Sequence, residues 1–136
     1  MGKSPKKPVI QDKKPEVKRI HTPVSISFKR IEAGEKYCLS VCTQNELKDI
    51  ADSLRQLTSM SWQDVLSTAG KGKNKAGLGY TTYSDDALKE SWPNWLSNDT
   101  KVSAVRASSC VRVFGVYIDH IYYLIWFDRN HDIVDG

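Results

Sequence analysis

Apolar residues recur along this chain with two different periods, and the switches between them divide it into elements. Val24, Ile26 and Phe28 alternate with Ser25, Ser27 and Lys29, the period-two pattern of a half-buried strand over Val24–Ile31. Lys36–Val41 alternates again, with Tyr37, Leu39 and Val41 on one side. Glu32-Ala33-Gly34-Glu35 between the runs carries a glycine suited to a turn, so the pattern predicts an opening β-hairpin. At Thr43 the period changes. Thr43-Gln44-Asn45-Glu46 has the spacing of a capping box, which satisfies backbone N–H groups at the start of a helix. Leu47, Ile50, Ala51, Leu54 and Leu57 follow at helical spacing and form one apolar face. Ser61-Trp62-Gln63-Asp64 repeats the start signal. Trp62, Val65, Leu66 and Ala69 then give a short second helix, with Gly70 placed to end it.

The second half returns to period two. Tyr80–Tyr83 reads as a short edge strand, Asp85–Trp95 has room for one helical turn before Pro93, and Lys101–Ala107 reads as a strand after the turn Ser97-Asn98-Asp99-Thr100. Cys110–Val116 and Ile121–Phe127, joined at Asp119-His120, make a terminal hairpin. In its last strand both alternating sets, Tyr122/Leu124/Trp126 and Tyr123/Ile125/Phe127, are apolar, so this strand is central and covered on two sides. The order predicts an α+β fold: two helices packed on a mainly antiparallel, twisted sheet that ends in a β-hairpin. The longest apolar run is strand-sized, well short of the roughly 20 residues of a membrane-spanning helix. The N-terminus has no apolar core of a secretory signal.

Composition changes this picture in one respect. The 136 residues carry a net charge of +4, but the first 22 hold seven basic residues against Asp12 and Glu16, so they account for +5 and the rest for −1. Residues 1–22, with Pro5, Pro8 and Pro15 and few apolar side chains, read as a flexible basic tail, and 23–136 as a single domain. A near-neutral domain lacks the overall basic footprint of a strong nucleic-acid binder and leaves room only for a local basic patch. Cys38, Cys42 and Cys110 read as reduced cysteines of a cytoplasmic protein. Cys38-x-x-x-Cys42 has no second Cys/His pair at ligand spacing, and Ile133 stands where a calcium loop opening at Asp128-x-Asn130-x-Asp132 needs glycine. Neither a metal nor another cofactor is expected.

The candidate chemistry lies in the last thirty residues and in one loop. Arg106 and Arg112 fall on neighbouring predicted strands. On a shared face they would clamp a phosphate bidentately; on opposite faces each is a surface solubiliser. His131 follows the final strand beside Asp128 and Arg129, where a general acid or base role is chemically reasonable for a histidine. His120, in the hairpin turn, reads as solvated. The segment Gly70–Gly77 carries Lys71, Lys73 and Lys75 but lacks the order of a nucleotide-binding loop. It is either a basic loop against an RNA backbone or a plain connection. Trp62 and Trp126 read as core, while Trp92 and Trp95 flank Pro93 at a sheet edge or partner surface. Among the tyrosines, only one near a strand end, Tyr117 or Tyr122, suits base stacking.

Arg112-Val113-Phe114-Gly115, Tyr122-Tyr123-Leu124-Ile125-Trp126-Phe127-Asp128 and His131 together resemble the chain end of RelE/ParE-superfamily toxins and related phage or mobile-element proteins. Gly77-Leu78-Gly79-Tyr80 resembles the phage-type group. The likeness is loose over 24–133 and closer over 108–133. It implies a metal-independent endoribonuclease acting on free or ribosome-bound RNA, with an antitoxin as a further partner. Arg112 would stabilise the scissile phosphate, His131 would move the proton in 2′-hydroxyl attack, and Tyr122 would complete the catalytic set. Arg106, Arg129 and the lysines Lys71, Lys73 and Lys75 would hold the RNA backbone. The near-neutral domain and the added opening hairpin depart from that family. They favour the alternative, a non-catalytic phage or mobile-element protein that occupies a host protein or nucleic acid.

Overall fold

The computed structural model describes residues 22–32, 36–67, 78–89, 93–97 and 99–134. Lys71, Lys73, Lys75, Trp92 and Gly70 lie outside the described residues, as do residues 1–21, where most of the basic tail falls. Five strands form one sheet in the order β1-β5-β4-β3-β2: β1 (Ser25–Ser27), β2 (Thr81–Tyr83), β3 (Val102–Arg106), β4 (Arg112–Ile118) and β5 (Ile121–Asp128). The β2-β3-β4-β5 meander is antiparallel and β1 adds to β5 in parallel. Helices α1 (Gln44–Leu57) and α2 (Trp62–Ser67) separate β1 from β2, so the fold is α+β with a mixed sheet. Among the described residues no helix is long and apolar enough to cross a membrane.

Local signals explain most elements. At α1 the Thr43 hydroxyl accepts from Glu46 N–H at 3.2 Å and the Glu46 carboxylate accepts from Thr43 N–H at 2.8 Å, the capping box its sequence predicted. Ser61 and Asp64 make the same exchange at α2. The β4–β5 turn places Asp119 and His120 at φ of 51° and 70°, the double positive φ of a tight type I′ connection.

The opening hairpin does not form. Lys36 and Tyr37 lie in a turn, and Leu39–Val41 is a single 3-10 turn whose N-terminal cap is Cys38, its sulfur accepting from Ser40 N–H. The partner that Val24–Ile31 needs is supplied by β5, far along the chain. Beyond β1 that same edge of β5 is occupied by Glu32 N–H donating to Ile125 O and by Phe127 N–H donating to Tyr37 O.

Both faces of the sheet are covered, as the apolar last strand predicted. Ile50 and Leu57 of α1 and Val65 of α2 pack on Val105, Val113, Leu124 and Phe127. On the opposite face Tyr37, Leu88, Leu96 and Ile133 cover Ala104, Phe114, Ile125 and Trp126. A register shift pairs Phe114 with Trp126 and Gly115 with Leu124, leaving Ile125 as an extra residue. That bulge turns Trp126 away from Tyr122 and Leu124, with which simple alternation had grouped it.

Candidate anion site at one end of the sheet

Arg106 ends β3 and Arg112 begins β4, and the register sets them directly opposite each other. They alternate with Val105 and Val113, which face the helices, so both guanidinium groups leave the sheet on the other face. Directly opposed residues have Cβ atoms about 5 Å apart, and like charges so placed oppose sheet formation. Neither arginine forms a salt bridge among the described residues. Arg112 is half-buried and gives Nη1 to carbonyl oxygens of the β3–β4 turn: Ser108 at 2.7 Å, Val111 at 3.2 Å and Ser109 at 3.4 Å. Among the described residues its Nε and Nη2 meet no acceptor. Burial and then the Arg106 charge lower its proton affinity, against smaller opposing effects of Tyr83, Cys110 and Asp128. The Arg106 side chain makes no hydrogen bond among the described residues and lies over Gly79, where a Cβ would sit 3.1 Å from Cζ. Gly79 has φ +63°, and Arg106 N–H donates to Leu78 O at 2.7 Å, so the chain before β2 is folded tightly under this arginine.

The row continues onto β5, where Asp128 stands opposite Arg112. Asp128 is fully buried. Its carboxylate accepts from Ile133 N–H at 2.8 Å, Asp132 N–H at 2.9 Å and Asn130 N–H at 3.4 Å. The Asp128-x-Asn130-x-Asp132 spacing is therefore that of a turn closed on its own backbone. Among the described residues no group of three His, Cys, Asp or Glu could hold a metal. His131 sits in that turn at φ +60°, partly exposed, and its ring makes no hydrogen bond among the described residues. The turn thus keeps His131 at the same end of the sheet as the two arginines.

Two other candidates are placed elsewhere. Arg129 is bound to α1: its Nε donates to Glu46 Oε1 at 2.6 Å, and its role is to hold the helix start to the end of β5. Its engagement, with the side chain about one-third exposed, leaves it a poor RNA contact. Tyr122 pairs with Tyr117 near the other end of β5, on the helix face, with no exposed surface. Its hydroxyl donates to Ser103 O at 3.2 Å and lies 3.0 Å from Ser103 Oγ, and burial drives its proton affinity far up. A phenol sealed in this way reaches no substrate, so Tyr122 is a core residue. Tyr117 is stacked on Trp62, centroids 3.6 Å apart, which occupies a ring face that base stacking would use. Trp95 carries the Arg30 guanidinium 4.6 Å from its centroid.

Gly79, named in the sequence only for the Gly77–Tyr80 likeness, and the Ser108–Val111 turn shape the arginine pair, a part the sequence did not assign them. The glycine itself, four residues before Tyr83, was the one available signal, since glycine is the residue that readily adopts the positive φ found there. Comparison of the chain with protein-family models, with curated protein sequences and with solved structures returned no match.

Proposed function

We propose that this domain binds a nucleic-acid phosphate backbone, RNA first among them, at the Arg106–Arg112 pair. The observation that carries this reading is the direct cross-strand opposition of two arginines with unused donors and no carboxylate in salt-bridge range among the described residues. An anion between them would relieve the like-charge repulsion and accept from both guanidinium groups, the arrangement that suits phosphate. Among polyanions, RNA is favoured by the likeness of the chain end, with Arg112 and His131, to RelE/ParE-superfamily toxins. Cysteines held as thiols fit a reducing, cytoplasmic setting.

A second reading, endoribonuclease activity, is favoured by His131. Its ring, in the turn that follows β5, makes no hydrogen bond among the described residues, and β5 lies beside the strand that carries Arg112. In that reaction His131 accepts the 2′-hydroxyl proton, the oxygen attacks the adjacent phosphorus, the bond to the 5′-oxygen breaks to leave a 2′,3′-cyclic phosphate, the departing 5′-oxygen takes its proton from water, and Arg112 stabilises the phosphorane charge. Labelled single-stranded RNA, followed for binding by anisotropy and for cleavage on a gel, tests both. Binding that falls in Arg106→Ala and survives in His131→Ala supports the first reading. New RNA ends that vanish in His131→Ala add the second. Absence of binding even at low salt removes both.

A further inference from the structure

Along one flank of α1, beside the sheet, runs an apolar groove of about 210 Å³, lined by Phe28, Leu39, Leu47, Ile50, Ala51 and Leu54, with buried Phe127 at its base. Every lining residue is apolar, yet Phe28 is 55% and Leu47 40% exposed, which is unusual for large side chains that could close on each other. At 3.6 residues per turn, Lys48 and Arg55 follow the groove residues on the solvent side of the helix. They share Asp52, at 3.1 Å and 3.5 Å, so this rim keeps a net positive charge. Exposed Lys29, next to Phe28 in sequence, adds another. Glu46 does not offset them, because Arg129 holds it. Asp49 lies on the opposite flank of the helix.

The geometry points to this groove as a docking site for an amphipathic helical segment of a partner protein, with apolar anchors flanked by acidic residues. The size fits one or two inserted side chains, the scale of helix-in-groove recognition. A second copy of this chain fits less well, because a two-fold contact of this face brings two net-positive rims together. The partner differs in kind from the RNA proposed for the sheet end, and the groove does not depend on that reading.

The full chain is titrated against a fluorescein-labelled synthetic helix with leucines at i, i+4 and i+7 and glutamates on the flanks. A control helix carries lysines instead. Saturable binding of the glutamate helix, weakened at least about tenfold by Ala51→Trp, is expected. The double change Lys48→Glu/Arg55→Glu reverses the preference between the two helices. Ala51→Trp leaves RNA binding unchanged. Should Ala51→Trp lose its circular dichroism spectrum, Leu47→Glu at an exposed position makes the same test. Equal binding of both helices, no effect of the groove variants, or self-association that Ala51→Trp abolishes would each overturn the proposal.

Discussion

At Tyr122 a side chain that sequence places near a strand end is enclosed by what lies across from it. Gly115 has no Cβ, and one added there would meet the Tyr122 ring at 2.9 Å and collide with Tyr123 O. The ring fills that space and its hydroxyl joins Ser103 in a buried polar pair, Ser103 Oγ donating on to Gly115 O at 3.3 Å. Tyr122→Phe should therefore cost about 1–2 kcal/mol in urea unfolding, the net worth of the lost hydrogen bonding and a partly unsatisfied Ser103. RNA affinity should stay within about twofold, well under the tenfold that 1.4 kcal/mol represents. A variant of unchanged stability that no longer binds RNA would return Tyr122 to the site. Arg106 is the opposite case. It is partly exposed, its side chain makes no hydrogen bond among the described residues, and it opposes a like charge. A structural role leaves those features unexplained.

Among the elements, α1 was legible and the strand before it was not, for a physical reason. Capping and helical periodicity act within a few residues, so Thr43, Glu46 and the Leu47–Leu57 face announce the helix from local sequence alone. The alternation of Lys36–Val41 is equally local, but a strand exists only where an edge is open, and the free edge of β5 is taken by β1, Glu32 and Tyr37. The face of Trp126 was hidden for a similar reason, since one bulge residue inverts the alternation beyond it. Whether Arg106 and Arg112 share a face was open in sequence because register decides it. What ties α1 to the sheet is also non-local. The Arg129 hydrogen bond, then the Thr43 N–H, hold the Glu46 carboxyl below its usual range. Because the folded value is lower, this contribution is present above the unfolded value of about 4.3 and is lost as pH falls through the folded value. Glu46→Gln should unfold at lower urea than the parent near neutral pH. The gap should close as pH drops below about 4. A gap independent of pH would mean that the carboxylate charge does not contribute.

On the scale of the molecule, one end of the sheet gathers the Arg106–Arg112 pair, the buried Asp128 and the His131 turn, while the α1 groove lies on the layer over the other face. The domain's near-neutral charge means that the proposed polyanion binding has to come from local placement, to which the seven basic residues of the first 22 would add without specificity. The affinity of the full chain for single-stranded RNA, measured against salt concentration beside Arg106→Ala, separates these contributions. Each phosphate contact on a single strand contributes about −0.7 to the slope of log affinity against log salt. The arginine pair predicts weaker binding for Arg106→Ala and a slope shallower by about 0.7, with circular dichroism unchanged. Identical affinity and slope in the two proteins would contradict an anion site between Arg106 and Arg112.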